Sequence, residues 1–136
     1  MTEFRYSQTS LNRLNTCHND LITICKKAIL ISPVDISIVC GHRDKKAQAR
    51  AFRDGFSKLR WPQSNHNQWP SRAVDLAPYR DGEIRWSNIE GLHLIAGLIL
   101  GIADTLNIKI RWGGAWKGVL NPPDAFNDLY HFEKIV

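Results

Sequence analysis

Apolar positions along the chain switch between two periods, and the switches lay out the elements. From Ser10 the series Leu11, Leu14, Leu21, Ile22, Cys25, Ala28 and Ile29 keeps helical spacing, which predicts one long helix ended by Ser32-Pro33. Asp35 to Cys40 alternates, with Ile36, Ile38 and Cys40 on one side, as a short strand does. Asp44 is placed to cap a second helix that carries Ala47, Ala51 and Phe52 and is closed by Gly55. Residues 57–72 hold Pro62, Pro70 and several Asn, Gln and Ser, and predict an irregular loop. A strand from Ala73 to Ala77 is expected to stop at Pro78. Ser87-Asn-Ile-Glu90 reads as a capping box opening the clearest helix, with Ile89, Leu92, Ala96, Ile99, Ala103 and Leu106 on its apolar face. Ile108 to Trp112 alternates again, a Gly/Pro-rich loop covers 113–127, and Tyr130 to Val136 predicts a final strand. This order predicts an α+β fold in one domain over residues 1–136, a mostly antiparallel sheet with helices packed on it.

Composition adds limits. With 43% apolar residues in 136, the chain can fill one core, and no repeat or low-complexity tract interrupts it. The most apolar stretch, Leu92 to Ala103, contains His93 and falls short of the about 20 residues a bilayer span needs. Met1-Thr-Glu-Phe-Arg-Tyr-Ser has no apolar run behind a basic start. These features predict a protein made without a signal peptide, held in the cytoplasm and not inserted in a membrane. Cys17 and Cys25, on the same predicted helix, would lie roughly 12 Å apart, beyond the roughly 7 Å limit for bridging, and Cys40 falls in a strand. All three cysteines read as reduced, small hydrophobes. The net charge of +5 fits either plain solubility or attraction to a polyanion, whether nucleic acid or a carboxylate-rich cell envelope. The basic residues read as scattered. Some of the five Trp are expected to line a cleft.

Three polar segments interrupt this scaffold, around Gly41-His-Arg43, Ser64 to Asp75 and Asp128 to Glu133. His66 lies in the loop, Asp75 shares a strand face with Ala73 and Ala77, and His131 opens the last strand. Two imidazoles and one carboxylate from separate elements form the donor set of a catalytic zinc site, with a fourth position left to water. Asp128, three residues before His131, is the candidate general base. It is expected just ahead of the strand, because on a regular strand it would face away from His131. Arg43 offers a fixed positive charge for a substrate carboxylate or a developing oxyanion. Spacing alone also admits a structural His66 and an Asp75 paired with Arg72 or Arg80. His18, His42 and His93 read as a helix-surface, a strand-end and a helix N-terminal histidine.

Ser64-x-His66, then Ser-Arg-Ala-Val-Asp75-Leu-Ala-Pro-Tyr, then Asp128-x-x-His131-Phe-Glu133 together resemble the zinc D,D- and L,D-peptidases of the VanY and phage-endolysin type. The nearest likeness is to the phage L-alanyl-D-glutamate endopeptidases, and it extends over about residues 10–136. Gly41-His-Arg-Asp44 and the Arg111-Trp-Gly-Gly turn fit as well. The resemblance implies the fold shared by Hedgehog and D,D-peptidase domains. It implies hydrolysis of peptidoglycan stem peptides, with Zn2+ held by His66, Asp75 and His131, Asp128 as base, and Arg43 and Ser64 as supporting site residues. It also implies a phage lysis enzyme that stays in the host cytoplasm until the membrane is opened, working as a monomer without nucleic-acid partners. The sequence departs from the pattern in a longer interval between His66 and Asp75 and in Ala115, where an acidic residue is expected. The alternatives are a D-alanyl-D-alanine carboxypeptidase or dipeptidase with the same site, and a basic nucleic-acid-binding module with Trp stacking. A non-haem iron oxygenase is disfavoured, since such sites usually set the first His and the acid two residues apart.

Overall fold

The helical periodicity of residues 10–31 is real, yet the chain breaks it in the middle. The computed structural model describes residues 3–135. It shows two helices where one is predicted, α1 (Gln8–Leu14) and α2 (Asn19–Ile31). Between them Cys17 forms a parallel bridge with Ser71, Ser71 N–H donates to the Thr16 carbonyl, and His18 N–H donates to that of Ser71. The break packs on Gly41, where a Cβ would lie 2.3 Å from the Arg13 carbonyl oxygen. A contact from distant sequence thus overrides local period. His18 is therefore not a helix-surface histidine. It caps α2, its Nδ1 accepting from Asp20 N–H at 3.0 Å. Cys17 lies off the helix, and all three cysteines are free, two of them buried.

Strand β1 (Ile36–Cys40) leads to α3 (Lys45–Arg53), capped by Asp44 and followed by Gly55 at φ 81°. Strand β2 (Ala73–Arg80) does not stop at Pro78. Tyr79 N–H points to β1, donating to Asp35, so the Pro78 nitrogen faces the other edge. There β5 (Asp128–Lys134) pairs only with Ala73 to Asp75, and the one donor missing falls opposite Arg85, which still donates its own N–H to the Pro78 carbonyl. Beyond it β2 turns through Asp81-Gly82, both at positive φ, into the two-residue β3 (Glu83–Ile84), which the apolar pattern does not predict. Helix α4 (Ile89–Thr105) is capped by Asn88, accepting from Gly91 N–H, not by Ser87. The cap is thus one residue later than expected, and the capping box expected at 87–90 does not form, because Gly91 at its third position has no side chain to reach back. Strand β4 is Ile110–Gly113.

The sheet order is β1-β2-β5-β4, antiparallel throughout, with β3 on β2. One face carries Ile36, Ile38, Val74, Leu76 and Phe132 into a core with Leu21, Ile24, Ile95 and Ile99 of α2 and α4. Each such side chain, fully buried, contributes about 1.5–3 kcal/mol. That packing fixes the sheet register, and the register sets the other face.

Candidate active site

Cys40, Asp75 and His131 are direct cross-strand partners on β1, β2 and β5. Side chains opposite one another on adjacent strands share a face, so these three form a row across the sheet. His66 reaches the row from a short 3-10 turn (Asn65–Asn67). Ser64 caps this turn, its hydroxyl accepting from His66 N–H, while Asn67 reaches back to Ser64 N–H. Ser64 is buried by this work, so the structure gives it the task of holding His66.

Asp75 Oδ1 lies 3.2 Å from His66 Nε2 and 3.2 Å from His131 Nδ1. The far nitrogens have acceptors of their own: His66 Nδ1 meets the Gly41 carbonyl at 2.7 Å, and His131 Nε2 meets Glu133 Oε1 at 2.7 Å. Those acceptors assign the protons to the far nitrogens. In the neutral imidazoles the near nitrogens are then lone pairs, and each faces the same buried Asp75 carboxylate oxygen. Three acceptors facing one another call for a cation. Without a metal, protons serve: burial alone would depress the histidines, but the Asp75 carboxylate outweighs it and lifts His66 to about 10 and His131 to about 9. Burial would raise Asp75, yet the two imidazoles hold it well below the usual carboxylate range. The donor set therefore fits a divalent ion, and it is the combination that suits zinc. The donor atoms that lie within 4.8 Å of one another are those of Cys40, His66 and Asp75, where His131 was expected as the third, and His131 joins this group through its contact with Asp75.

Asp75 pairs with Arg43 at 3.9 Å, not with Arg72 or Arg80. Arg43 in turn is held by Gln48, a fully buried α3 residue whose Oε1 accepts from Arg43 Nη1 and Asn67 Nδ2. Asp128 is the first residue of β5, inside the strand and not ahead of it, and His131 stands mid-strand. The Asp128 carboxyl lies within electrostatic reach of Asp75, His131, His66 and Arg43, and the pairing with β4 slips at this point: Trp112 faces Phe132, but Gly113 faces Asp128. The extra residues bulge, which frees Asp128 from strict alternation. Gly113 permits this, since a Cβ there would meet the Asp128 carbonyl oxygen at 2.1 Å. Burial and the nearby Asp75 charge raise the Asp128 carboxyl, against the pull of His131, His66 and Arg43. A carboxylate with a raised pKa beside two metal-type imidazoles is suited to take and return a proton.

Three contributors escape the sequence reading. Glu133, held by Arg111 Nε at 3.1 Å, orients His131, and its place two residues on along the same strand face is a legible signal. Gly41 acts through its carbonyl and Cys40 through register, and neither leaves a mark in composition. His42 sits edge-on to Trp69, and His93 is exposed on α4 against Trp112, both away from the donor row's hydrogen bonds. Among the tryptophans, Trp116 comes within 5.8 Å of His131, ring centre to ring centre. Trp112 is buried, and Trp61, Trp69 and Trp86 are exposed.

Comparison with known proteins gives first the class, a hydrolase of the peptidase type, and then the family. The family model described as phage L-alanyl-D-glutamate peptidase matches residues 1–135, and the chain belongs to that family. The L-alanyl-D-glutamate peptidase of Escherichia phage T5 is 30% identical over 113 residues, 83% of this chain and 82% of that protein. The crystal structure of the Serratia marcescens L-Ala D-Glu endopeptidase ChiX matches with a TM-score of 0.77 and 26% identity, over 98% of this chain and 92% of that one.

Proposed function

We propose that the chain is a zinc-dependent endopeptidase that hydrolyses the amide bond between L-alanine and D-glutamate in peptidoglycan stem peptides. Family membership supports the bond, and the convergence of three lone pairs from His66, Asp75 and His131 supports the metal. His66, Asp75 and His131 would hold the zinc ion, which when bound would supply Lewis acidity and lower the pKa of water toward neutrality. Asp128 takes the proton of the attacking water and passes it to the leaving glutamate nitrogen. Arg43, fixed by Gln48, offers its guanidinium to a substrate carboxylate or to the negative charge that develops on the carbonyl oxygen. Glu133 and the Gly41 carbonyl keep the two imidazoles in the tautomers that present their lone pairs, and Ser64 keeps His66 on its turn. Membership of a phage peptidase family further supports an enzyme that waits in the host cytoplasm and reaches the wall when the membrane opens. Among the described residues no helix is long and apolar enough to cross a membrane.

The test is bound zinc and released amino groups, measured together on the unmodified protein, His131→Ala and Asp128→Asn. One zinc per chain is expected in the unmodified protein and in Asp128→Asn. His131→Ala should lose both metal and activity, and Asp128→Asn activity alone. A metal-free protein that cuts stem peptides at the unmodified rate would overturn the proposal.

A further inference from the structure

The basic residues are not scattered. Residues 43–60 hold seven basic and two acidic side chains, a net +5 that equals the whole excess of the chain, and the remaining residues hold eleven of each sign. On α3, Lys46, Arg50 and Arg53 fall at i, i+4 and i+7, one helical stripe, and all three are exposed. Lys45 adds to it at the start of α3, and Lys58 and Arg60 extend the exposed field into the following loop. Of these six, Arg53 with Asp54 makes the one ion pair found among the described residues. Elsewhere the eleven basic side chains are matched in number by eleven acidic ones, and Arg80 and Arg85 pair with Asp81, Arg111 with Glu133 and Lys134 with Asp20.

This field is built in place by aromatic rings. Lys45 Nζ sits 5.5 Å from the Trp61 ring centre, Arg60 4.4 Å from that of Phe52 and Lys58 4.2 Å from that of Phe126. Phe126 also stacks on Trp116, the ring beside His131, so Lys58 ties the basic loop to the wall of the reaction site. At the other end the field begins at Arg43, which turns inward to Asp75. Exposed Phe56, at 83%, and Trp61 add apolar surface between the charges.

We infer that the outer face of α3 and the loop to Trp61 form a docking surface for the peptidoglycan mesh itself, engaging glutamate carboxylates of stems next to the one being cut. This rests on the proposed function. Any stem containing the L-alanyl-D-glutamate bond also carries a free glutamate carboxylate, so the substrate polymer repeats the complementary charge. A surface continuous with the reaction site holds the enzyme between cuts and presents it to the next stem. Screening by salt acts strongly on such exposed charges.

The experiment is cosedimentation with purified peptidoglycan sacculi from which attached polymers have been removed, using Asp128→Asn so that the target stays intact. The Lys46→Glu, Arg50→Glu double variant is expected to bind on the order of tenfold more weakly, and its residual binding to lose salt dependence. Lys26→Glu with Lys27→Glu, the same charge change on exposed α2 positions, should bind as the parent does, with melting curves checking the fold of each. Equal binding by the two double variants would overturn the inference. So would binding to anionic phospholipid vesicles or to DNA as tight as to sacculi, or an absence of binding at low salt. Cleavage of a short soluble stem peptide by the unmodified protein tests the reaction separately, so failure of docking and failure of the reaction are told apart.

Discussion

Removing the Glu133 carboxylate isolates how much the site depends on the partner of His131. Glu133 is buried, accepts from His131 Nε2 at 2.7 Å and is held from outside by Arg111. A hydrogen bond to an ionised group contributes about 1.5–3 kcal/mol. The Arg111 pair adds little, about 0–1 kcal/mol, because that guanidinium is nearly half exposed. Glu133→Ala should therefore destabilise the metal-free protein by about 1.5–4 kcal/mol. The carboxylate also sets the tautomer of His131, so its loss should weaken zinc binding about 10–100-fold, or about 1.4–2.7 kcal/mol. Glu133→Gln keeps an acceptor oxygen and loses only charge, and should fall at the low end of both ranges. Competition against a chromophoric chelator reads the affinity, and urea unfolding in excess chelator reads the stability. If Glu133→Ala holds zinc as tightly as the unmodified protein, His131 is oriented by something else and the account of the site is wrong.

Other expectations follow from the same geometry. Asp128→Asn should lower the turnover rate about 10²–10⁴-fold with zinc affinity kept, and parallel losses of both would remove Asp128 from its proton-transfer role. Gln48→Ala should cost about 1–3 kcal/mol of stability and raise KM, since it frees Arg43 and leaves buried partners unpaired; an unchanged KM would refute its hold on Arg43. In the metal-free protein Asp75 keeps His66 and His131 protonated above their ordinary range, so zinc binding must release protons. Apparent zinc affinity should rise with pH through neutrality, and calorimetry in buffers of different ionisation enthalpy should show the release; none would contradict the site. Asp20 is held below its ordinary value, chiefly by the hydrogen bond from Lys134, with a smaller opposing effect of burial. A depressed carboxylate stabilises the fold above its unfolded pKa of about 3.9 and ceases to do so as pH falls through the folded value. Asp20→Asn should thus be less stable than the parent near neutrality and converge with it in acid, as urea melts at several pH values will show.

The donor residues were legible because residue type, strand alternation and motif order all bear on them locally. Asp75 could be placed on a face before any fold was known, and His66 and His131 followed from the polar segments that interrupt the scaffold. What stayed hidden depends on pairing between distant segments. The position of Asp128 comes from a slipped register opposite Gly113, and Cys40 joins the row only through its pairing with Asp75. The break between α1 and α2 is set by Ser71 and Gly41, far along the chain, so periodicity ran through it. Pro78 shows the reverse case: a strand breaker by rule, tolerated because its nitrogen faces an edge that β5 does not reach. The charge field needed only a count over residues 43–60 and was available throughout.

The most direct test of metal-dependent cleavage at the alanine–glutamate bond is mass spectrometry of defined muropeptides incubated with the protein, with chelator, and with zinc restored. The account predicts one new pair of products, with glutamate at the new amino terminus and alanine at the new carboxyl terminus, absent with chelator and recovered with zinc. Loss of a terminal D-alanine instead would assign the site to a carboxypeptidase, and products that form equally in chelator would contradict the metal site itself.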